Sequence, residues 1–171
     1  MRFKLQTVFP FFKSRSNRSH RAQSRKRRAT PTIVLAPELT QLWHSLRMDF
    51  FPEAPALDDY VIGWSTRRQR RTLASCEVRR HIVRVAKELK DPLFGPYLEP
   101  LLYHEMCHAA LGTEVGYYRG KRAWHGPRFK ALEKRHPGIR TLDAWIKGGG
   151  WSYAVRRARA LEANGRRARA K

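Results

Sequence analysis

The sequence predicts an α+β fold, a small antiparallel sheet packed on helices, one of which carries an HExxH motif. Apolar residues recur at helical spacing in "PELTQLWHSLRMDF" and in the leucine-rich run "LLYHEMCHAALG". By contrast, "YVIGW", "RTLASCEV" and "RHIVRVA" are rich in valine, isoleucine and aromatics, as strands are. Helix, strands and helices come in blocks instead of alternating, which separates this class from doubly wound α/β folds. With 42% hydrophobic residues and five tryptophans, a chain of 171 residues has enough apolar mass for one core.

In chain order, Pro37 opens the first helix from its favoured position, and Leu39, Leu42, Trp43, Leu46 and Phe50 share one face. Pro52 and Pro55 close it. The three strand-like runs follow, with connections short enough for an antiparallel meander and with "RHIVRVA" as its edge. After the turn "KELKDPLFGP", a second helix runs from near Tyr97 to a stop at Gly112. "TEVGYYRGKRAW" reads as a loop. Gly126 lets the backbone turn closely and Pro127 starts a third helix with Phe129 and Leu132 facing inward. A shorter helix around Leu142, Trp145 and Ile146 ends at "GGG". This order divides the chain into a basic disordered arm (1–31), a central domain (32–147) and a glycine linker with a basic tail (148–171).

The formal net charge is +22, far beyond what solubility requires, and it implies a polyanionic partner. Residues 1–31 hold ten Lys or Arg and no acid, 32–147 nineteen against thirteen, and 148–171 seven against one. The ends are therefore basic arms around a more balanced middle. In "KSRSNRSHRAQSRKRR" no apolar periodicity offsets the entropy of ordering, so Arg25, Lys26, Arg27 and Arg28 are expected to order only on a phosphate backbone. Arg166, Arg167 and Arg169 are the matching candidates in the tail, where Val155, Ala158 and Leu161 would share one side of a short basic helix. "GWSTRRQRR" mixes aromatic and basic residues as a single-strand binder does. The preferred reading is a solvated hairpin tip with Trp64 in the core.

"LQTVFPFF" is too short and proline-broken to span a membrane, and arginines stand where a secretory cleavage site would be. An arginine- and serine-rich, acid-free start also fits an organellar presequence, which stays open beside a cytoplasmic, nucleoid-associated location. Cys76 and Cys107 lack CxxC spacing, so a reducing compartment is the default and Cys107 reads as a small buried hydrophobe.

Helical positions four apart differ by about 40° around the axis, so His104 and His108 project from one face where two imidazoles reach one ion. Glu105 lies beside that face, placed to take a proton from a metal-activated water. With seven histidines and nine glutamates, an HExxH arises by chance in roughly one or two such chains in a hundred. Burying these groups among Leu101, Leu102, Ala109, Ala110 and Leu111 would also cost several kcal/mol without a partner. A divalent ion supplies one.

A third ligand is needed. The metzincin spacing is excluded, because Leu111 and Glu114 stand where its glycine and histidine belong. Glu114 sits just past the helix end, and His125 precedes a new helix in "WHGPRF"; His125 is preferred. His136, in "KRHPG", reads as a charge at a helix C-terminus, and His20, His44 and His81 as surface or packing residues.

"LLYHEMCHAALG" followed by "HGPRF" resembles the SprT-like domain, the metallopeptidase-like module shared with the Spartan DNA-protein crosslink proteases. "VIGWSTRRQRRTLASCEVRRHIVRVAKEL" is similar to the strand region before that family's metal helix, and the resemblance covers roughly residues 37–147. It implies a zincin-like fold with one zinc ion on His104, His108 and His125, Glu105 as general base, and protein substrates attached to DNA. The two cysteines cannot build the zinc ribbon of fuller members, so the basic arms are expected to supply non-specific phosphate contacts with DNA, single-stranded DNA included. Two alternatives use the same residues. One is a metal-dependent nuclease or other hydrolase; the other is a nucleic-acid-binding protein with a non-catalytic zinc site, against which the intact Glu105 argues.

Overall fold

A computed structural model of the chain describes residues 33–113, 116–118 and 121–170. The expected arm, with Arg25, Lys26, Arg27 and Arg28, lies outside the described residues. A short strand β1 (Ile33–Leu35) leads into helix α1 (Pro37–Phe50), which buries Leu39, Trp43 and Leu46 at helical spacing. Trp43 is fully buried, and its indole N–H donates to the Leu57 carbonyl at 2.8 Å, so its polar atom is satisfied inside the core.

Strands β2 (Val61–Ser65), β3 (Ala74–Glu77) and β4 (Ile82–Val85) form one sheet with β1, in the order β1-β2-β4-β3. The expected antiparallel meander is corrected here, because the sheet is mixed. β2 and β4 run parallel, with Ile62 opposite Val83 and Trp64 opposite Val85, while β1 and β3 pair antiparallel with β2 and β4. "RHIVRVA" is not the edge but an inner strand. Val83 and Val85 are 0% exposed, whereas the more polar "ASCE" of β3 takes the outer position, as edge strands tolerate polar residues better. β1, missed as a strand, passes so close to β2 that a Cβ on Gly63 would meet the Val34 carbonyl oxygen at 2.4 Å. Only glycine fits there.

Helix α2 (Gly95–Leu111) stops at Gly112, as the sequence indicates, and packs against α1, β3 and the two helices after it. Eight of its residues are buried, including Leu101, Leu102, Tyr103, Met106 and Cys107. Cys107 is 0% exposed, in line with its reading as a core residue. The expected loop beyond Gly112 holds a small antiparallel ribbon, β5 (Gly116–Tyr118) with β6 (Lys121–Ala123). Helices α3 (Pro127–Glu133) and α4 (Ile139–Lys147) follow. Gly126 has ordinary extended backbone, with φ −68° and ψ −176°, so its place before Pro127 needs no left-handed turn.

The stretch read as a glycine linker and tail is helix α5 (Gly150–Arg169). Gly149 takes φ 84°, and a Cβ on Gly150 would strike the Trp145 indole at 2.1 Å, so the "GGG" makes a tight corner between α4 and α5. The corner folds α5 back onto the body, where Trp151, Ala154 and Val155 are buried. Leu161 is 53% exposed, so the expected apolar side is seated only in its first turns. Among the described residues no helix is long and apolar enough to cross a membrane.

Candidate metal centre

His104 and His108 stand one turn apart on α2, with ring centroids 5.1 Å apart. The corner before α3 brings His125 against both, at 5.2 Å from His104 and 4.9 Å from His108. One ligand atom from each histidine lies within 4.8 Å of the others. The Nε2 atoms of His108 and His125 face each other at 3.1 Å. Tetrahedral ligands about 2.0–2.1 Å from one ion would be roughly 3.3 Å apart, so this spacing fits a shared divalent cation.

Phe129, 1% exposed, forms the floor. Its ring centroid is 5.0 Å from His104, 4.4 Å from His108 and 4.6 Å from His125. This gives the "HGPRF" segment a physical meaning: the histidine supplies a donor, Pro127 starts α3, and Phe129, four residues after His125, packs under all three imidazoles.

The electrostatics also suit a cation. Burial pushes His108 down to about 3, helped by the charges of His104 and His125. Burial likewise pushes His125 down to about 4, with His104 and Lys130 adding to it and Glu133 opposing. Both rings are therefore unprotonated donors at neutral pH. His104 goes the other way. Burial lowers it, but its hydrogen bond to Glu133 and the charges of Glu105, Glu133 and Asp143 together raise it.

That hydrogen bond, from His104 Nδ1 to Glu133 Oε1, measures 2.6 Å and leaves Nε2 for an ion. Glu133 was not picked out from the sequence. It sits at the end of α3, twenty-nine residues from its partner, and its only signal is an acid one helical turn after the Phe129 that floors the site.

Glu105 is 5% exposed. Burial raises its pKa to about 6, opposed by His104 and by a hydrogen bond from the Cys76 backbone amide on β3. The outer edge of β3 therefore borders the histidine cluster. Of the other candidates, Glu114 lies outside the described residues. His136 is not a helix-end charge. It lies beyond α3 and is 4% exposed, packed against Phe50 and Tyr103, and its Nδ1 accepts the Gly138 amide while Nε2 donates to Glu99. His44 pairs with Asp58 and His81 stacks on Tyr60, and both are exposed, so they are surface residues, one of the two roles read for them. Arg166, Arg167 and Arg169 lie on the last turns of α5, apart from this cluster.

Comparison with known proteins gives one result. The sequence profile of the SprT-like family matches residues 39–142, more than half of the 171-residue chain and inclusive of His104, Glu105, His108, His125 and Glu133. No curated protein and no solved structure matches it.

Proposed function

The chain belongs to the SprT-like family, and from that premise we propose that it is a zinc-dependent metallopeptidase working on proteins held at DNA, with residues 32–147 as its metallopeptidase-like domain. The observation that carries the reading is the convergence of His104, His108 and His125 beside the buried carboxylate of Glu105. Three imidazoles, with a carboxylate behind one of them, form a donor set suited to zinc. When bound there, zinc would polarise a scissile carbonyl and acidify water.

The remaining steps belong to this chain's own residues. Glu105, with its pKa near 6, is ionised at neutral pH and takes a proton from the attacking water. It then returns that proton to the leaving amine. The Cys76 amide holds the carboxylate in place from β3, and Glu133 holds the His104 ring in one tautomer. A substrate segment adds to the outer edge of β3 by backbone pairing, which brings its peptide bonds past Glu105. The net charge of +22 supports a polyanion as the place of action, and the free Cys76 and Cys107 suit a reducing cytoplasm with nucleoid association.

The test is cleavage of casein and of the protein itself, with and without single-stranded DNA, by wild type and by Glu105→Gln. DNA-stimulated cleavage in the wild type alone supports the reading. Cleavage of naked DNA or RNA with intact casein would overturn it in favour of the nuclease alternative.

A further inference from the structure

We infer that the arginine loop between β2 and β3 and the flank of α5 form one pre-assembled cationic platform, which binds the phosphate backbone of a nucleic acid strand. The inference deepens the nucleic-acid part of the proposed function and rests on it.

The loop is "TRRQRR", and from Val61 to Cys76 the sequence contains no acid. It is not the expected hairpin tip. β2 and β3 are not neighbours in the sheet, so this segment crosses from one strand to the far edge, and Trp64 is in the core beneath its start. Four hydrogen bonds fix its backbone. Ser65 Oγ donates to the Arg67 carbonyl at 3.0 Å, and the Gln69 amide donates to buried Glu88 at 2.8 Å. The Trp151 indole of α5 donates to the Arg70 carbonyl at 3.1 Å, and the Ala86 amide to the Leu73 carbonyl at 2.7 Å. A loop held in this way has already lost most of its backbone freedom on folding, so binding does not have to order it. Arg67, Arg68, Arg70 and Arg71 are all exposed.

α5 adds the second wall. Glu162, the one acid in residues 148–171, faces Arg68 of the loop, Lys87 at 3.3 Å and Arg166 at 4.0 Å. One carboxylate thus gathers three cations, and the junction keeps a net positive charge. Among the described residues Arg67, Arg70 and Arg71 make no ion pair. Their planar forks match phosphate oxygens, and their spacing along a fixed backbone suits a repeating polyanion better than a single small anion.

A membrane surface is the poorer partner. Trp151, Ala154 and Val155, which an interfacial helix would have to insert, are buried against the body. The loop also runs directly into β3, whose Cys76 meets Glu105. A strand on the platform is therefore held at the start of the edge that borders the metal centre.

The test compares the full chain with its Arg67→Gln/Arg70→Gln/Arg71→Gln form, reading anisotropy of a labelled single-stranded oligonucleotide across a salt series. Affinity should fall at least tenfold, with a salt slope shallower by about 2, from about 0.7 per lost phosphate contact. A second form, with Arg25, Lys26, Arg27 and Arg28 changed to Gln, separates the arm from the platform. Loss in the arm form with none in the loop form overturns the inference, as does a preference for anionic vesicles over the oligonucleotide. If the triple form unfolds, Arg67→Gln and Arg71→Gln singly should each show a smaller loss. Binding is read without cleavage, so an inactive protease that still binds through the loop contradicts only the proposed reaction.

Discussion

Glu133 Oε1 lies 2.6 Å from Nδ1 of His104, joining the end of α3 to the middle of α2 across the floor of the histidine cluster. Such a carboxylate fixes the ring's tautomer and orientation and raises its basicity, and losing one costs about 10–100-fold in metal affinity. Glu133→Gln should weaken zinc binding by that order in a chelator competition. Unchanged affinity would mean that the contact does not orient His104.

Glu105→Gln keeps the shape of the side chain but cannot accept a proton. Peptide cleavage should fall by at least about 10²–10⁴-fold while zinc content stays at the wild-type value, measured on the same preparation. Equal loss of zinc and activity would move Glu105 from proton transfer to metal binding.

Phe129 touches all three imidazoles and is almost fully buried. Phe129→Ala should cost about 3–5 kcal/mol in denaturant unfolding, through lost apolar transfer and a residual cavity. It should also loosen the donors, so added zinc should raise the unfolding midpoint less than in the wild type. An equal zinc-induced rise in both would show that the floor supports the fold alone.

Asp58 tests the charge balance away from the site. The hydrogen bond from Arg47 holds its carboxyl below the usual range, with His44 adding and desolvation opposing. A carboxylate with a lowered folded-state value stabilises above its unfolded value of about 3.9, and that stability is lost as pH falls through the folded value. Asp58→Asn should therefore lower stability at pH 7 by at most about 1 kcal/mol, as exposed pairs do. The difference from wild type should shrink as pH falls and vanish once pH is below that lowered folded-state value. A difference that persists in acid would point to packing instead of charge.

The parts of this molecule that local pattern encodes were legible. Pro37 and the spacing of Leu39, Trp43 and Leu46 gave α1, and the four-residue offset of His104 and His108 gave the ligand face. "HGPRF" pointed to His125, which the fold brings to the same place. What escaped depends on pairing between distant segments. Nothing local in "VIGWS" and "IVRV" says that they lie side by side in parallel, although the polar "ASCE" at the edge and the fully buried valines beside it carry the physical reason. Glu133 escaped for the same reason, since its role exists only once α3 folds against α2. The charge count of residues 148–171 also hid the apolar anchors Trp151, Ala154 and Val155, which make α5 part of the body.

The central claim is that His104, His108 and His125 hold one metal ion together, and elemental analysis of the purified wild type beside His125→Ala tests it most directly. The account predicts about one zinc per chain in the wild type and near-complete loss in the variant, because an open site of this kind needs all three protein ligands. No zinc in the wild type, or equal zinc in both proteins, would contradict it.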